Sequence, residues 1–354
     1  MKIKPMTKFA ILALSLVLVA CAGGGSEEAG CPAIDGREIN VVATTPMIGE
    51  FVSQVGGENI NLTVLMPPEA NPHTYEPAPQ DAGTIAEADL VFYTGLLYEP
   101  AALVKLLENS ACSTDILSEV GESVFPIEFK EGGHDDHDDH DDHDDEEGHD
   151  DEEGHDDHDD EEGHDDEEGH DDHEGHNHGA YDPHFWFDPS RVAYAAEYIE
   201  SRLIQFDPEN ESSYKSSADS FVSELNDLTK QVSELISTVP SQNRKLITTH
   251  ESLGYLEAKF GLEVLSTIIP SLNSANEISP SDLAGVIDVI EDNNVKVIFI
   301  ESEAPSVYSE TIVAETGIKP VTGLYVETLK PGQSYSEFLI SNVKLITENL
   351  QDTD

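Results

Sequence analysis

Positive charge is scarce in this 354-residue chain: 17 Lys and Arg stand against 73 Asp and Glu, a formal net charge of −56 at pH 7. Such a surface disfavours nucleic acid and anionic lipid headgroups, and it attracts cations non-specifically. Acid-rich surfaces also occur in proteins from salty habitats, and charge alone does not separate the two explanations. A membrane-spanning run is missing as well. The apolar stretch Phe9 to Ala20 has twelve residues, too few to cross a hydrocarbon core of about 30 Å as a helix. There are three cysteines, and neither Cys31 nor Cys112 has a second cysteine at chelating spacing, which argues against a thiolate zinc site. The HExxH signature of zinc hydrolases is absent.

What the N-terminus does contain is a processing segment, set aside from the fold. Lys2, Lys4 and Lys8 precede the apolar stretch, which ends in Leu18-Val19-Ala20-Cys21. That ending resembles a bacterial lipobox, so residues 1–20 read as a lipoprotein signal peptide and Cys21 as the lipidated first residue of the mature chain. The alternative is an ordinary signal peptide with an incidental cysteine. Residues 21–36, rich in Gly, Ser and Glu, read as the lipidated cysteine and a flexible tether. The expected product is extracytoplasmic, in the periplasm or at the cell surface, and tied to the bacterial membrane through Cys21. In an oxidising compartment Cys31 and Cys112 are expected to form a disulfide; two unpaired thiols are the alternative.

Twelve of the fifteen histidines lie in a single tract made almost entirely of His, Asp, Glu and Gly: His134, His137, His140, His143, His149, His155, His158, His164, His170, His173, His176 and His178. Between His134 and His178 there are 27 Asp and Glu and no Lys or Arg, so the rest of the chain still carries 29 excess negative charges. With no apolar residue the tract has nothing from which to build a core, and residues 133–179 are expected to be a disordered insertion. Imidazoles and carboxylates a few residues apart bind metal weakly in a disordered chain, because ordering it costs entropy. Many together give capacity and a high local metal concentration. A solubilising acidic loop is the competing reading.

Outside the tract, short apolar runs alternate with helical ones. Strands are expected at 39–43, 61–65, 90–94, 245–249, 262–268, 295–300 and 319–322, with helices at 47–55, 79–86, 99–108, 193–204, 253–260, 280–291, 307–316 and 335–350. That alternation predicts α/β architecture with mainly parallel sheets. Residues 209–237 differ. Tyr214, Ala218, Phe221, Leu225, Leu228, Val232 and Leu235 recur at steps of four and three, with Val222 and Ile236 widening the stripe and no Gly or Pro between them, predicting one amphipathic helix about 43 Å long. It reads as a rigid strut between two lobes, a coiled-coil segment being the alternative. The domain plan is thus a first lobe over 37–207 that includes the insertion, a linking helix over 208–240, and a second lobe over 241–354.

Three histidines remain: His73, His184 and His250. They are 111 and 66 residues apart, so only a fold could bring them together. Each falls in a loop near the carboxyl end of a strand or at a Pro-bounded turn, where open α/β sheets hold ligands. Neutral imidazole is a common zinc ligand, and a fourth donor is wanted for tetrahedral closure. Glu327, after the last expected strand, is the candidate. Glu76, Asp188, Glu251 and Glu301 are rivals, or groups that orient the imidazoles.

Five segments now carry a resemblance: Asn71-Pro72-His73-Thr74-Tyr75-Glu76-Pro77, Ala88-Asp89-Leu90-Val91-Phe92-Tyr93-Thr94-Gly95, Asp182-Pro183-His184-Phe185-Trp186, Thr249-His250-Glu251-Ser252-Leu253-Gly254-Tyr255-Leu256, and Val297-Ile298-Phe299-Ile300-Glu301. In that order they resemble the metal-binding (cluster A-I, ZnuA/TroA-like) solute-binding proteins of ABC transporters, over about residues 38–350 without the tract. The resemblance implies two (β/α) lobes, one connecting helix and a single metal in the cleft. His73 and His184 would be ligands from the first lobe and His250 the third ligand, from the second. The third position is His in zinc-type members and often Glu in manganese-type ones, so Zn²⁺ is the expected cargo, with Mn²⁺ or Fe²⁺ behind it. The last position is typically Asp, so Glu327 is a departure. A His- and acid-rich loop in the first lobe is common in zinc-type members, whereas a Cys31–Cys112 disulfide finds no support in the resemblance. An ABC permease is the implied partner, a monomer the expected state, and modest lobe motion the consequence of a stiff linking helix. Two readings compete: a zinc hydrolase with a His₃ site and Glu251 or Glu301 as general base, and a storage protein acting through the tract alone.

Overall fold

The computed structural model describes residues 31, 34, 36–129, 181–303 and 307–351. Cys21 and all twelve tract histidines lie outside the described residues. The first lobe contains β1 (Ile39–Ala43), α1 (Pro46–Gly56), β2 (Ile60–Val64), α2 (Pro79–Ala86), β3 (Leu90–Tyr93), α3 (Ala101–Ser110), β4 (Leu117–Glu119) and α4 (Pro189–Phe206). Its four strands form one parallel sheet in the order β2-β1-β3-β4. Leu90 and Phe92 of β3 enter one apolar cluster while Val91 enters another on the opposite face. A strand covered on both faces needs a continuous apolar run, which is how Leu90–Tyr93 reads. Strand β4 has no such signature: it is three residues long with Ser118 at its centre.

The second lobe contains β5 (Lys245–His250), α6 (Gly254–Phe260), β6 (Glu263–Ile269), α7 (Pro280–Asp292), β7 (Val297–Glu301), α8 (Val307–Thr316), β8 (Lys319–Leu324) and α9 (Tyr335–Gln351). Strands β5 and β6 pair in parallel, as do β7 and β8, and β5 lies beside β7. Pro320 is tolerated in β8 because that strand is hydrogen-bonded on one side only. Helix starts follow local chemistry. Ser279 and Asp282 exchange side-chain bonds across the first turn of α7, with Pro280 at its first position. Asp188 likewise caps α4 ahead of Pro189.

Helix α5 (Glu211–Ser237) joins the lobes. Its 27 residues run about 40 Å. Tyr214, Ala218, Phe221, Leu225, Leu228, Val232 and Ile236 form its buried stripe, with Leu235 only partly covered. Of the two residues expected to close the stripe, Ile236 is the more deeply buried, because a 3.6-residue helix drifts away from a strict heptad. The helix does not stand clear as a strut. It packs along α4, α1 and α9, and one continuous apolar cluster takes residues from both lobes. Helix α9 reaches back to the first lobe, where Tyr335 meets the Phe51 ring edge-on at 5.3 Å and its hydroxyl donates to the Trp186 carbonyl at 2.7 Å.

Cys31 is disulfide-bonded to Cys112, with Cα atoms 5.0 Å apart. Cys112 packs against the cluster of Val42, Val91 and Leu103 under the first sheet. No helix among the described residues is long and apolar enough to cross a membrane.

Candidate metal centre

Strand ends build the site. His250 is the last residue of β5, one position earlier than a loop placement would put it. Glu327 lies in the loop after β8. His73 sits on a short 3-10 turn, Pro72–Thr74, in the long β2–α2 connection, and His184 immediately precedes another, Phe185–Phe187. Ligand atoms of these four residues all lie within 4.8 Å of one another. The Glu327 carboxylate is the hub: Oε1 is 3.0 Å from His73 Nε2 and 2.9 Å from His250 Nε2, and Oε2 is 3.5 Å from His184 Nε2. His184, His250 and Glu327 are fully buried and the His73 side chain is 3% exposed. The site is thus closed to water on all but its His73 edge.

Behind each buried imidazole stands a carboxylate. Asp182 Oδ1 lies 2.8 Å from His184 Nδ1, and Glu301 Oε2 lies 2.5 Å from His250 Nδ1. With Nδ1–H donated outward, each Nε2 turns its lone pair inward, the tautomer that binds metal. Both of those Nε2 atoms are buried without a hydrogen bond; the 2.9 and 3.5 Å approaches to Glu327 are close but not aligned as one. Nε2 atoms facing an anion call for positive charge between them, a metal ion on the lone pairs or, without metal, protons on the imidazoles. Three nitrogens and one carboxylate fit a divalent metal of borderline softness.

The electrostatics agree. Burial would push the Glu327 carboxyl up, but the three imidazoles hold it well below the usual carboxylate range. Burial alone would lower His184, yet Glu327 and Asp182 outweigh it and raise the imidazole to about 9. His250 is also driven well above its ordinary value: Glu301 and Glu327 overcome its burial. In the metal-free site protons supply the positive charge that Glu327 requires.

Glu301 orients His250, but the other acidic candidates do other work. Asp188 accepts from Ser190 N and Oγ and lies 3.6 Å from Lys259 Nζ, so it caps α4 and bonds to none of the three imidazoles. Glu251 accepts from Thr267 Oγ1 and lines an open cavity of about 610 Å³. Glu76 is exposed. Proximity in sequence to a ligand misled in all three cases, because adjacent side chains leave a turn or strand in different directions. Three contributors carried little sequence signal. Asp182 was visible only as the residue two before a histidine. Tyr98 donates from its hydroxyl to Glu327 Oε2 at 2.9 Å across 229 positions. Glu303 Oε1 accepts from Val326 N at 3.2 Å and Glu327 N at 3.3 Å, shaping the ligand loop.

A buried donor set at the joint between two parallel-sheet lobes defines a two-lobed protein of the metal-binding class. The family described as zinc-uptake complex component A, periplasmic, matches residues 41–349, and the chain belongs to it. Over 352 residues it is 27% identical to the high-affinity zinc uptake system protein ZnuA of Bacillus subtilis, covering 97% of this chain and 96% of that one. It is 25% identical over 357 residues to the manganese ABC transporter substrate-binding lipoprotein PsaA of Streptococcus anginosus, covering 98% and 99%. The solved periplasmic zinc-binding protein TroA of Treponema pallidum superposes with a TM-score of 0.70 at 20% identity, over 88% of this chain and 99% of that one. The chain is therefore a metal-binding receptor of an ABC importer and not an enzyme. The hydrolase reading falls with that membership, and its two proposed bases are engaged by His250 and Thr267.

Proposed function

We propose that this receptor is held outside the cytoplasm by a lipid on Cys21, binds Zn²⁺ through His73, His184, His250 and Glu327, and delivers it to the permease of an ABC importer. The observation that carries the zinc reading is the donor set: three imidazoles, two of them oriented by carboxylates, and one carboxylate. Nitrogen-rich, four-donor sites suit zinc, whereas manganese favours more oxygen ligands. Relatives named for manganese keep Mn²⁺ as the second reading, with Fe²⁺ behind it. The acidic His-rich tract, residues 133–179, gathers metal near the cleft without forming the tight site. Competition between Zn²⁺ and Mn²⁺ on tract-deleted protein tests the reading, with His250→Ala beside it. Zinc is expected to win and the variant to lose the tight site; unchanged zinc affinity in His250→Ala removes the assignment.

A further inference from the structure

Each first-lobe histidine ends a tripeptide of related pattern, an Asn or Asp followed by Pro and His: Asn71-Pro72-His73 and Asp182-Pro183-His184. In each, the residue two before the ligand accepts the ligand's own backbone N–H: Asn71 Oδ1 from His73 at 2.9 Å, Asp182 Oδ1 from His184 at 2.8 Å. The proline between them fixes φ and offers no competing donor. The second half of the arrangement is not local. Asn71 Nδ2 donates into the second lobe, to Ser274 Oγ at 3.0 Å and the Glu303 carbonyl at 3.2 Å. The Asp182 carbonyl accepts from the Tyr255 hydroxyl of α6 at 2.8 Å. Contact there is close: a Cβ added at Gly254 would stand 2.7 Å from Asp182 Oδ2.

We propose that Asn71 and Asp182 are positioning residues that fasten the two first-lobe ligands to the second lobe, and so set how fast the metal leaves. The inference rests on the metal-site reading above. Each residue joins a ligand backbone to a partner across the lobe joint, so separating the lobes pulls on His73 and His184 through them. Neither residue touches the metal position itself in this scheme; Asp182 acts through His184 Nδ1 and backbone, Asn71 through the His73 backbone. Glu303 extends the link, since its carbonyl accepts from Asn71 while its carboxylate holds the Val326 and Glu327 amides.

The test is stopped-flow transfer of Zn²⁺ from the full-length protein to an excess of chelator, with the association rate measured separately. Asn71→Ala removes both halves of one link. Tyr255→Phe removes the cross-lobe bond to Asp182, together with the bond its hydroxyl accepts from Ile127 N at 3.2 Å, and touches no ligand side chain. Loss of such outer contacts to metal ligands is worth about tenfold or more in affinity. The expected result is about tenfold faster dissociation in Asn71→Ala, a smaller increase in Tyr255→Phe, and unchanged association in both. Asn71→Leu keeps the size of the side chain but can neither accept from His73 nor donate to Ser274 and Glu303, so its dissociation is expected to be as fast as that of Asn71→Ala. Dissociation within twofold of the parent in Tyr255→Phe, or a parental rate in Asn71→Leu, overturns the proposal. A variant that only melts earlier when metal-free, with parental dissociation, assigns these residues to stability alone and overturns it too. Failure of the unmodified protein to bind Zn²⁺ would remove the site reading itself, a result distinct from unchanged variant rates.

Discussion

His250 and Glu301 engage one another twice: Nδ1 of the imidazole lies 2.5 Å from Oε2, and the backbone N–H of the same histidine lies 3.2 Å from Oε1. Both are fully shielded from solvent, at the ends of the adjacent strands β5 and β7. One carboxylate therefore fixes the ring's tautomer and its position along the strand together.

Glu301→Gln keeps the size of that group but replaces a charged acceptor with an amide. Zinc affinity is expected to fall by about 10–100-fold, the range found when such orienting partners are lost. A chelator-competition titration reads the change, and affinity within twofold of the parent would show that His250 needs no carboxylate behind it.

Metal affinity is expected to rise with pH. His184, at about 9 in the metal-free site, is protonated at neutral pH and must lose that proton to bind. Binding at pH 7 should release at least one proton per metal ion, and the part that comes from His184 should fade above about pH 9. Calorimetry in buffers of differing ionisation enthalpy measures this directly. Stability of the metal-free protein moves the other way. A histidine raised above its unfolded value of 6.5 stabilises the fold fully below that pH, and the contribution is lost as pH climbs through about 9. Thermal melts of metal-free protein should accordingly fall between pH 6.5 and 9; a rise would contradict the charge pattern around Glu327.

Deleting residues 133–179 should leave the tight site intact and remove weaker, additional metal binding. Equilibrium dialysis against rising Zn²⁺ separates the two classes. Loss of all tight binding would place the site in the tract and not in the cleft.

Cys112→Ser should cost about 2–4 kcal/mol of stability, the usual worth of a disulfide, with metal affinity kept. The bond ties residue 31 to the far end of α3 across 81 positions, and Cys112 packs beneath the sheet with Val42, Val91 and Leu103. Denaturant unfolding under oxidising and reducing conditions gives the comparison.

Phe221→Ala should cost about 3–5 kcal/mol, the range for truncating a buried aromatic ring. The side chain sits at the middle of α5, 6.3 Å from the Phe51 ring, inside the cluster that spans both lobes. A single cooperative transition shifted to lower denaturant is expected; two separated transitions would mean that the lobes unfold independently.

Much of this molecule can be read from local pattern. Continuous apolar runs such as Leu90–Tyr93 and the four-three spacing from Tyr214 to Val232 mark strands and helix because burial on two faces, or on one stripe, leaves a periodic trace in the chain. Subtracting the acidic tract exposes His73, His184 and His250, and their framing segments bring the family into view. Tertiary structure alone decided the rest. Glu327 receives His73 from 254 positions away and Tyr98 from 229, and no short-range regularity encodes contacts of that separation. The same holds for the supporting carboxylates: Asp182, two positions from His184, and Glu301, 51 positions from His250, stand behind imidazoles, while Glu76, Asp188 and Glu251, each within four positions of a ligand, have other partners or face solvent. Side-chain direction depends on the backbone at each strand end and turn, and that is set only when the two lobes close on their shared core.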